Sequence, residues 1–218
     1  MDKQNLITLS DPRSPASEAY RALRMNLEFT SLDKSLESLT ISSPEADAHK
    51  SLVAANLAVV MAQGGQRVIL VDADLRRPQL HQLFGLQQEP GVTGFMLARD
   101  DETEVHLLDT EVPGLRLLPS GALPPNPADI LGSLKMRQLI TRLQNDADVV
   151  ILDAPPVTVA VDASVLAAQT DGIVLIVRAG HTRRDRVDQA KELLERFRVK
   201  ILGAVLTDAK EQGLLTGY

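Results

Sequence analysis

The chain has 218 residues, a net charge of −6, no cysteine and no tryptophan, and is 44% hydrophobic, 24% charged and 3% aromatic. Without cysteine there is no disulfide scaffold and no thiolate metal site, and the acidic balance leaves no electrostatic footprint for nucleic acid, so no nucleic-acid partner is expected. No run approaches the roughly 18 apolar residues of a membrane span, and the start of the chain, with Asp2, Asp11 and Glu18, lacks the apolar stretch of a signal peptide, so a cytosolic protein with an aliphatic core is expected.

In chain order, a helix is predicted over 15–29, carrying Glu18, Arg21 and Arg24 at three-residue spacing along one side. Read alone, that side is a solvated charged face. A strand over 38–42 leads through the loop Ser42-Ser43-Pro44-Glu45-Ala46-Asp47-Ala48-His49 into a helix over 50–63. That helix is apolar nearly all round, as an interior helix is, and Gly64-Gly65 suits a left-handed C-terminal cap. A strand over 67–71 then runs into Asp72-Ala73-Asp74-Leu75-Arg76-Arg77-Pro78 and a helix over 78–84. Residues 91–94 read as a turn before a short helix near a site entrance, followed by a strand over 115–118 and a helix over 127–145. A strand over 149–152 delivers Asp153-Ala154-Pro155-Pro156, and helices over 162–169 and 183–197 alternate with strands over 172–178 and 199–206.

Strands alternating with helices imply right-handed βαβ units, hence an α/β fold with a mostly parallel twisted sheet covered by helices on both faces. No linker divides the chain, so it is read as one P-loop-like domain: an N-terminal helical arm (1–31), a core (32–208) and a short tail (209–218).

The chemistry concentrates in two places. A phosphate-binding loop wraps backbone N–H groups around phosphate, sets a lysine on the outer phosphates and a hydroxyl on magnesium. Lys50 and Ser51 are the right residues at the start of a helix whose dipole favours an anion. The glycines of the pattern are replaced, however, by Pro44, which has no N–H, and by His49, which carries a side chain where a left-handed backbone is needed. A carboxylate at Asp47 would also repel phosphate. The second place is the carboxyl edge of the sheet, where Asp72, Asp74 and Asp153 each follow a strand. Ligands of open α/β sheets bind at that edge, and oxygen donors beside a lysine and a hydroxyl suit a hard divalent cation. A single such acid would be read as a turn cap; three in this order are read as a site. His81, His106 and His181 show no metal-ligand spacing, and Arg183-Arg184-Asp185-Arg186 reads as a solvated helix start that could meet an acidic partner.

From about Ser14 to Asp208 the chain resembles the bacterial tyrosine kinases (BY-kinases) of capsule and exopolysaccharide biosynthesis, a branch of the ParA/MinD-like P-loop proteins. The segment 71–78 looks like the family's A′ motif, 151–156 like its Walker B motif, Glu18–Arg24 like its E-x-x-R-x-x-R assembly arm, and 118–127 like a segment typical of these kinases. The resemblance implies ATP and Mg2+ as cofactors. Residues 45–52, namely Glu45, Ala46, Asp47, Ala48, His49, Lys50, Ser51 and Leu52, would form the nucleotide loop, and Ser51, Asp72 and Asp153 would serve magnesium. Lys50, Asp72, Asp74 and Asp153 would carry phosphoryl transfer, with Arg76 contacting phosphate or ordering the A′ loop. It further implies a ring-shaped homo-oligomer through Glu18, Arg21 and Arg24, and the cytoplasmic segment of a membrane polysaccharide co-polymerase as partner, which would place the protein at the inner face of the membrane.

The chain departs from that pattern at several points. Leu52 stands where a Ser or Thr is usual, Thr207 where an Asn commonly contacts the base, and the only tyrosines are Tyr20 and Tyr218 in place of a tyrosine-rich tail. Tyr20 is expected to pack rather than accept phosphate. These departures leave a pseudokinase acting as an assembly module as the alternative reading, and a MinD/ParA-type ATPase as a further one. The latter ranks last because residues 42–49 lack that group's extra lysine.

Overall fold

The structure, a computed structural model, describes residues 6–30, 35–46, 48–98 and 104–209. Its strands are β1 (Ser38–Ser42), β2 (Val68–Asp72), β3 (Leu108–Asp109), β4 (Leu115–Leu118), β5 (Val149–Asp153), β6 (Ile173–Arg178) and β7 (Ile201–Thr207). They form a seven-stranded sheet in the order β3-β4-β2-β5-β1-β6-β7. Only the β3–β4 pairing is antiparallel; the others are parallel, as alternating strands and helices require. The helices are α1 (Ile7–Ser10), α2 (Pro15–Thr30), α3 (Lys50–Gln63), α4 (Leu80–Phe84), α5 (Gly91–Leu97), α6 (Pro127–Leu131), α7 (Leu134–Asp146), α8 (Asp162–Ala167) and α9 (Arg184–Arg196).

The central strands are buried along their whole length, and their alternate side chains feed two separate cores. Leu39, Ile41, Val68, Leu70, Val149 and Ile151 pack on one face with α3, while Ile69, Val71, Val150 and Leu152 pack on the other with α7 and α8. This period of two has a chemical consequence. Asp72 shares parity with Val68 and Leu70, and Asp153 with Val149 and Ile151, so both carboxylates belong to the face on which α3 lies. They are direct neighbours in the register of β2 and β5.

The long apolar helix falls at 50–63 as its pattern predicts, with Lys50, Ser51 and 53–62 buried. It ends in a Schellman cap: the N–H of Gln66 donates to Met61 O (3.3 Å), the N–H of Gly65 donates to Ala62 O (2.9 Å), and Gly65 takes φ +91. Two expectations are corrected. The helix over 127–145 is two helices, because Gly132 ends α6 and the Ser133 hydroxyl caps α7 by accepting from the Met136 N–H at 3.1 Å. Residues 91–94 are not a turn but the start of α5. There Gly91 (φ +56) and Gly121 (φ +77) let the chain at 90–93 and 119–121 come so close that a Cβ on either glycine would strike the other segment's backbone. Finally, α1 and β3, of four and two residues, are too short to leave a periodic signal.

The arm is seated on the core rather than detached. Thr8 donates both its N–H (3.1 Å) and its hydroxyl (2.8 Å) to Asn56 Oδ1 on α3, and Tyr20 and Leu23 pack against the core. Burial pushes the Tyr20 phenol up to about 12, in keeping with a packing role.

Candidate active site

β1 ends at the centre of the sheet, and residues 42–49 climb from it to the N-terminus of α3. Neighbouring chain holds this loop on its other side. The Ser42 hydroxyl donates to Pro155 O (2.6 Å), the Val157 N–H to Ser43 O (2.8 Å), and Thr158 donates its N–H (3.1 Å) and its hydroxyl (2.7 Å) to Pro44 O. The segment after β5 therefore fixes the loop through its carbonyl groups, a role in which the missing N–H of Pro44 is no handicap. His49 adopts φ 61, ψ 26, the left-handed conformation glycine usually supplies at this point. For a β-substituted residue that conformation costs roughly 1–2 kcal/mol. Asp47 lies outside the described residues.

Lys50 crosses the space between the loop and the sheet edge. Its Nζ lies 2.8 Å from Asp74 Oδ2, 3.1 Å from Asp153 Oδ1 and 3.3 Å from the Ser51 hydroxyl. Burial works to lower the pKa of its ammonium, but the carboxylates of Asp153 and Asp74 outweigh that and hold it above the usual lysine value. Asp153 is fully buried, and burial raises its pKa against the opposing pull of Lys50. Burial, reinforced by the charge of Asp153, pushes Asp72 well above the ordinary carboxylate range. One oxygen of Asp72 caps the next helix by accepting from the N–H groups of Gln79 (3.1 Å) and Leu80 (3.0 Å). Its other oxygen, and Asp153 Oδ2, are buried without a hydrogen-bond partner. Asp74 accepts from the N–H groups of Arg76 (3.3 Å) and Arg77 (3.0 Å) with the oxygen turned away from Lys50.

Lys50, Ser51 and Asp74 border a cavity of about 280 Å³ that is lined also by the loop, by Arg76, Arg77 and Gln79, and by Pro155, Pro156 and Val159, with Asp72 and Asp153 buried behind them. A second, more apolar cavity of about 550 Å³ lies between the arm and the end of β7, with His49, Leu52, Tyr20 and Thr207 in its wall. Among the described residues only His49 is common to both cavities. Thr207 stays at the site through weak 3.5 Å contacts of its hydroxyl with Ala48 O and Val177 O.

The predicted residues therefore divide. Lys50, Ser51, Asp72, Asp74 and Asp153 converge at one edge, with Arg76 beside them. Arg76 is held there by a residue the sequence reading did not single out: its Nε and Nη2 donate to Asp162 at 2.8 and 3.3 Å. The available signal was an acid heading the predicted helix over 162–169. Glu18, Arg21 and Arg24 lie away from the site. Arg21 pairs with Glu18 and also donates to Pro12 O (2.7 Å), while Arg24 pairs with Glu28 (3.1 Å), so both arginines meet carboxylates of their own arm. Arg24 also lies against Gly64, where a Cβ would come within 2.6 Å of its guanidinium, at the C-terminal end of α3.

Among the described residues no group of three or more His, Asp or Glu side chains is arranged to hold a metal by itself, and no helix is long and apolar enough to cross a membrane. The unpartnered oxygens of Asp72 and Asp153, neighbours in the register of β2 and β5, nonetheless fit magnesium, which usually takes one or two protein ligands and completes its shell with water and substrate phosphates.

A ParA family model, described as NUBPL iron-transfer P-loop NTPase, matches residues 37–207. The tyrosine-protein kinase YwqD of Bacillus subtilis is 39% identical over 208 residues, covering 95% of this chain and 87% of its own. Among solved structures, the chimerical protein CapA2B2 superposes with a TM-score of 0.87 at 36% identity, over 92% of this chain and 88% of its own. The kinase domain of the Escherichia coli tyrosine kinase ETK gives 0.87 at 31% identity, over 100% and 87%. The Mg-ADP complex of the septum site-determining protein MinD from Pyrococcus horikoshii, at 22% identity and a TM-score of 0.64 over 78% of this chain and 69% of its own, shares the fold.

Proposed function

Because the chain belongs to the bacterial tyrosine kinases of the ParA/MinD-like P-loop superfamily, we propose that it is an ATP- and magnesium-dependent protein tyrosine kinase regulating polysaccharide synthesis and export. One observation carries the reading: a single buried lysine at the N-terminus of α3 bridges Asp153, which ends β5, and Asp74, two residues past the end of the adjacent β2, at the wall of a cavity. A cation held at a helix N-terminus is electrostatically unfavourable unless anions answer it. Phosphate oxygens and these carboxylates are the anions within reach.

In this reading Lys50 holds the outer phosphates, Ser51 and Asp153 serve magnesium, joined by Asp72, and Asp72 or Asp74 orients the acceptor hydroxyl. When bound, magnesium neutralises charge on the transferring phosphoryl group. The loop backbone supplies N–H donors, the segment after β5 keeps the loop in place, and the apolar cavity beyond His49 has the character to receive the base. Lys50 must exchange part of its carboxylate contact for phosphate as the nucleotide enters. The chain would act as a ring through the Glu18–Arg24 helix, with those arginines trading their own carboxylates for a neighbour's, and on the cytoplasmic segment of a membrane adaptor. The family model's description names iron transfer, and the 218 residues contain no cysteine thiolate to hold iron.

The test is a calorimetric titration with ATP, with and without magnesium. Binding that needs magnesium supports the proposal, and no binding at millimolar ATP removes it. A second reading, a pseudokinase that keeps the fold as an assembly module, is favoured by the left-handed His49. Restoring glycine at Asp47 and His49 separates the two. A large gain in binding marks the natural loop as impaired, and no change undercuts that idea.

A further inference from the structure

The A′ segment is tied to the far side of the site by one ion pair. Arg76 follows Asp74 by two residues, and its guanidinium grips both oxygens of Asp162, the first residue of α8. The Asp162 side chain is 1% exposed and that of Arg76 is 42% exposed. A carboxylate so buried is costly to leave charged without a partner, and the hydrogen bonds to Asp162 in turn raise the pKa of the guanidinium. The pair thus joins the turn after β2 to the helix after β5.

The consequence lies one step further in. The turn that Arg76 anchors presents the N–H groups of Arg76 and Arg77 to Asp74 Oδ1, and the other oxygen of Asp74 is the one 2.8 Å from Lys50. The contacts run unbroken from Asp162 through Arg76 and Asp74 to the lysine. Arg76 also lines the cavity, so the grip of Asp162 decides where its cation stands relative to anything bound there.

We propose that Asp162 is a positioning residue: through Arg76 it fixes the turn at 74–77, and that turn sets the carboxylate of Asp74 against Lys50. For its activity arm this rests on the kinase reading above; for its structural arm it does not.

Asp162→Asn keeps the shape and removes the buried charge, so it leaves no unpaired carboxylate; Arg76→Gln removes the other partner but keeps a side-chain amide to donate to Asp162. Three quantities are read: hydrogen exchange at the N–H groups of Arg76 and Arg77 without nucleotide, the Kd for magnesium-ATP, and kcat and KM for tyrosine phosphorylation. Both variants are expected to lose at least tenfold protection at those two amides while the central strands keep theirs. For Asp162→Asn, which leaves the Arg76 cation in place, the Kd should move less than threefold and kcat fall at least tenfold with KM for ATP nearly unchanged. Arg76→Lys, which keeps the cation, should recover part of kcat. Unchanged protection at the two amides overturns the proposal. So does a loss of protection spread through the whole sheet, or equal effects on KM and kcat, since each marks a merely structural pair. A wild-type chain that transfers no phosphate defeats the kinase reading instead, and the exchange measurement then decides the positioning role alone.

Discussion

His49→Gly is the sharpest perturbation of the loop, because the structure separates its effect on folding from its effect on binding. His49 holds φ 61, so the wild-type residue carries roughly 1–2 kcal/mol of left-handed strain that glycine relieves. Against that, glycine loses more backbone freedom on folding, about 0.4–1 kcal/mol. The imidazole gives up little else: its Nε2 lies 3.8 Å from Asp208, and both side chains are close to half exposed, a geometry in which ion pairs contribute weakly. The balance is a stabilisation of about 1 kcal/mol or less, which for a chain of this size shifts Tm upward by roughly 0–4 °C. Binding should respond more. His49 stands in the wall of both cavities, so removing its side chain clears the passage from phosphate to base and lets the loop amides close. A gain of about tenfold in magnesium-ATP affinity, equivalent to roughly 1.4 kcal/mol, is expected. Thermal melting without nucleotide and calorimetry with it measure the two parts. A fall in Tm of more than about 5 °C would show that the imidazole supports the loop. Unchanged affinity would show that the glycine position does not limit binding.

Further expectations follow from the same contacts. Lys50→Met should abolish magnesium-ATP binding while leaving the fold intact by circular dichroism, and retained affinity would remove the lysine from the site. Asp72 has a folded-state pKa raised by burial and by Asp153, so its ionisation opposes folding. The stability it lends is therefore present in acid and lost as pH rises through the folded value. Asp72→Asn should gain Tm over the wild type progressively from acid toward neutral pH in magnesium-free buffer, and a pH-independent difference would refute that assignment. Arg24 packs at the carboxyl end of α3, where a cation contributes about 0.3–1 kcal/mol. Arg24→Ala should therefore lower Tm by a few degrees at micromolar concentrations as well as reduce assembly measured by light scattering, whereas a purely intersubunit role would leave the dilute chain's Tm unchanged.

How much of this could be read from the chain depends on the range of the interaction responsible. Strand and helix alternation gave the order of elements, and the all-round apolar pattern placed α3 to the residue. The convergence of Lys50 with Asp74 and Asp153 was legible because each is set by a local rule: a helix start, or a place at or just past the carboxyl end of a buried strand. Contacts across the sheet edge were not legible. Thr158 holding Pro44, and Asp162 holding Arg76, join residues 114 and 86 positions apart. No periodicity links such pairs; only the parallel register of β1, β2 and β5 brings them together. The division of 127–145 was missed for the opposite reason, since the break is too local: one glycine and one serine cap two helices whose apolar residues continue in phase.

The same distinction bears on whether loss of the glycines means loss of function. A phosphate loop needs N–H donors that point inward and a backbone held against collapse. In this chain the second need is met from outside, by four hydrogen bonds with the segment after β5, three donated by that segment and one donated to it by the Ser42 hydroxyl, and not by the conformational freedom of the loop itself. A loop anchored in that way over 42–44 carries a left-handed residue further along that an unanchored loop would not, because the folded core over-determines the backbone. The sites of substitution and of bracing also coincide at Pro44, which lacks an N–H to donate and whose carbonyl accepts two hydrogen bonds from Thr158. Removing the brace by Thr158→Val should thus weaken nucleotide binding in the natural loop more than in the His49→Gly loop, measured as a double-mutant cycle by calorimetry. Strictly additive effects would mean that brace and strain are unrelated.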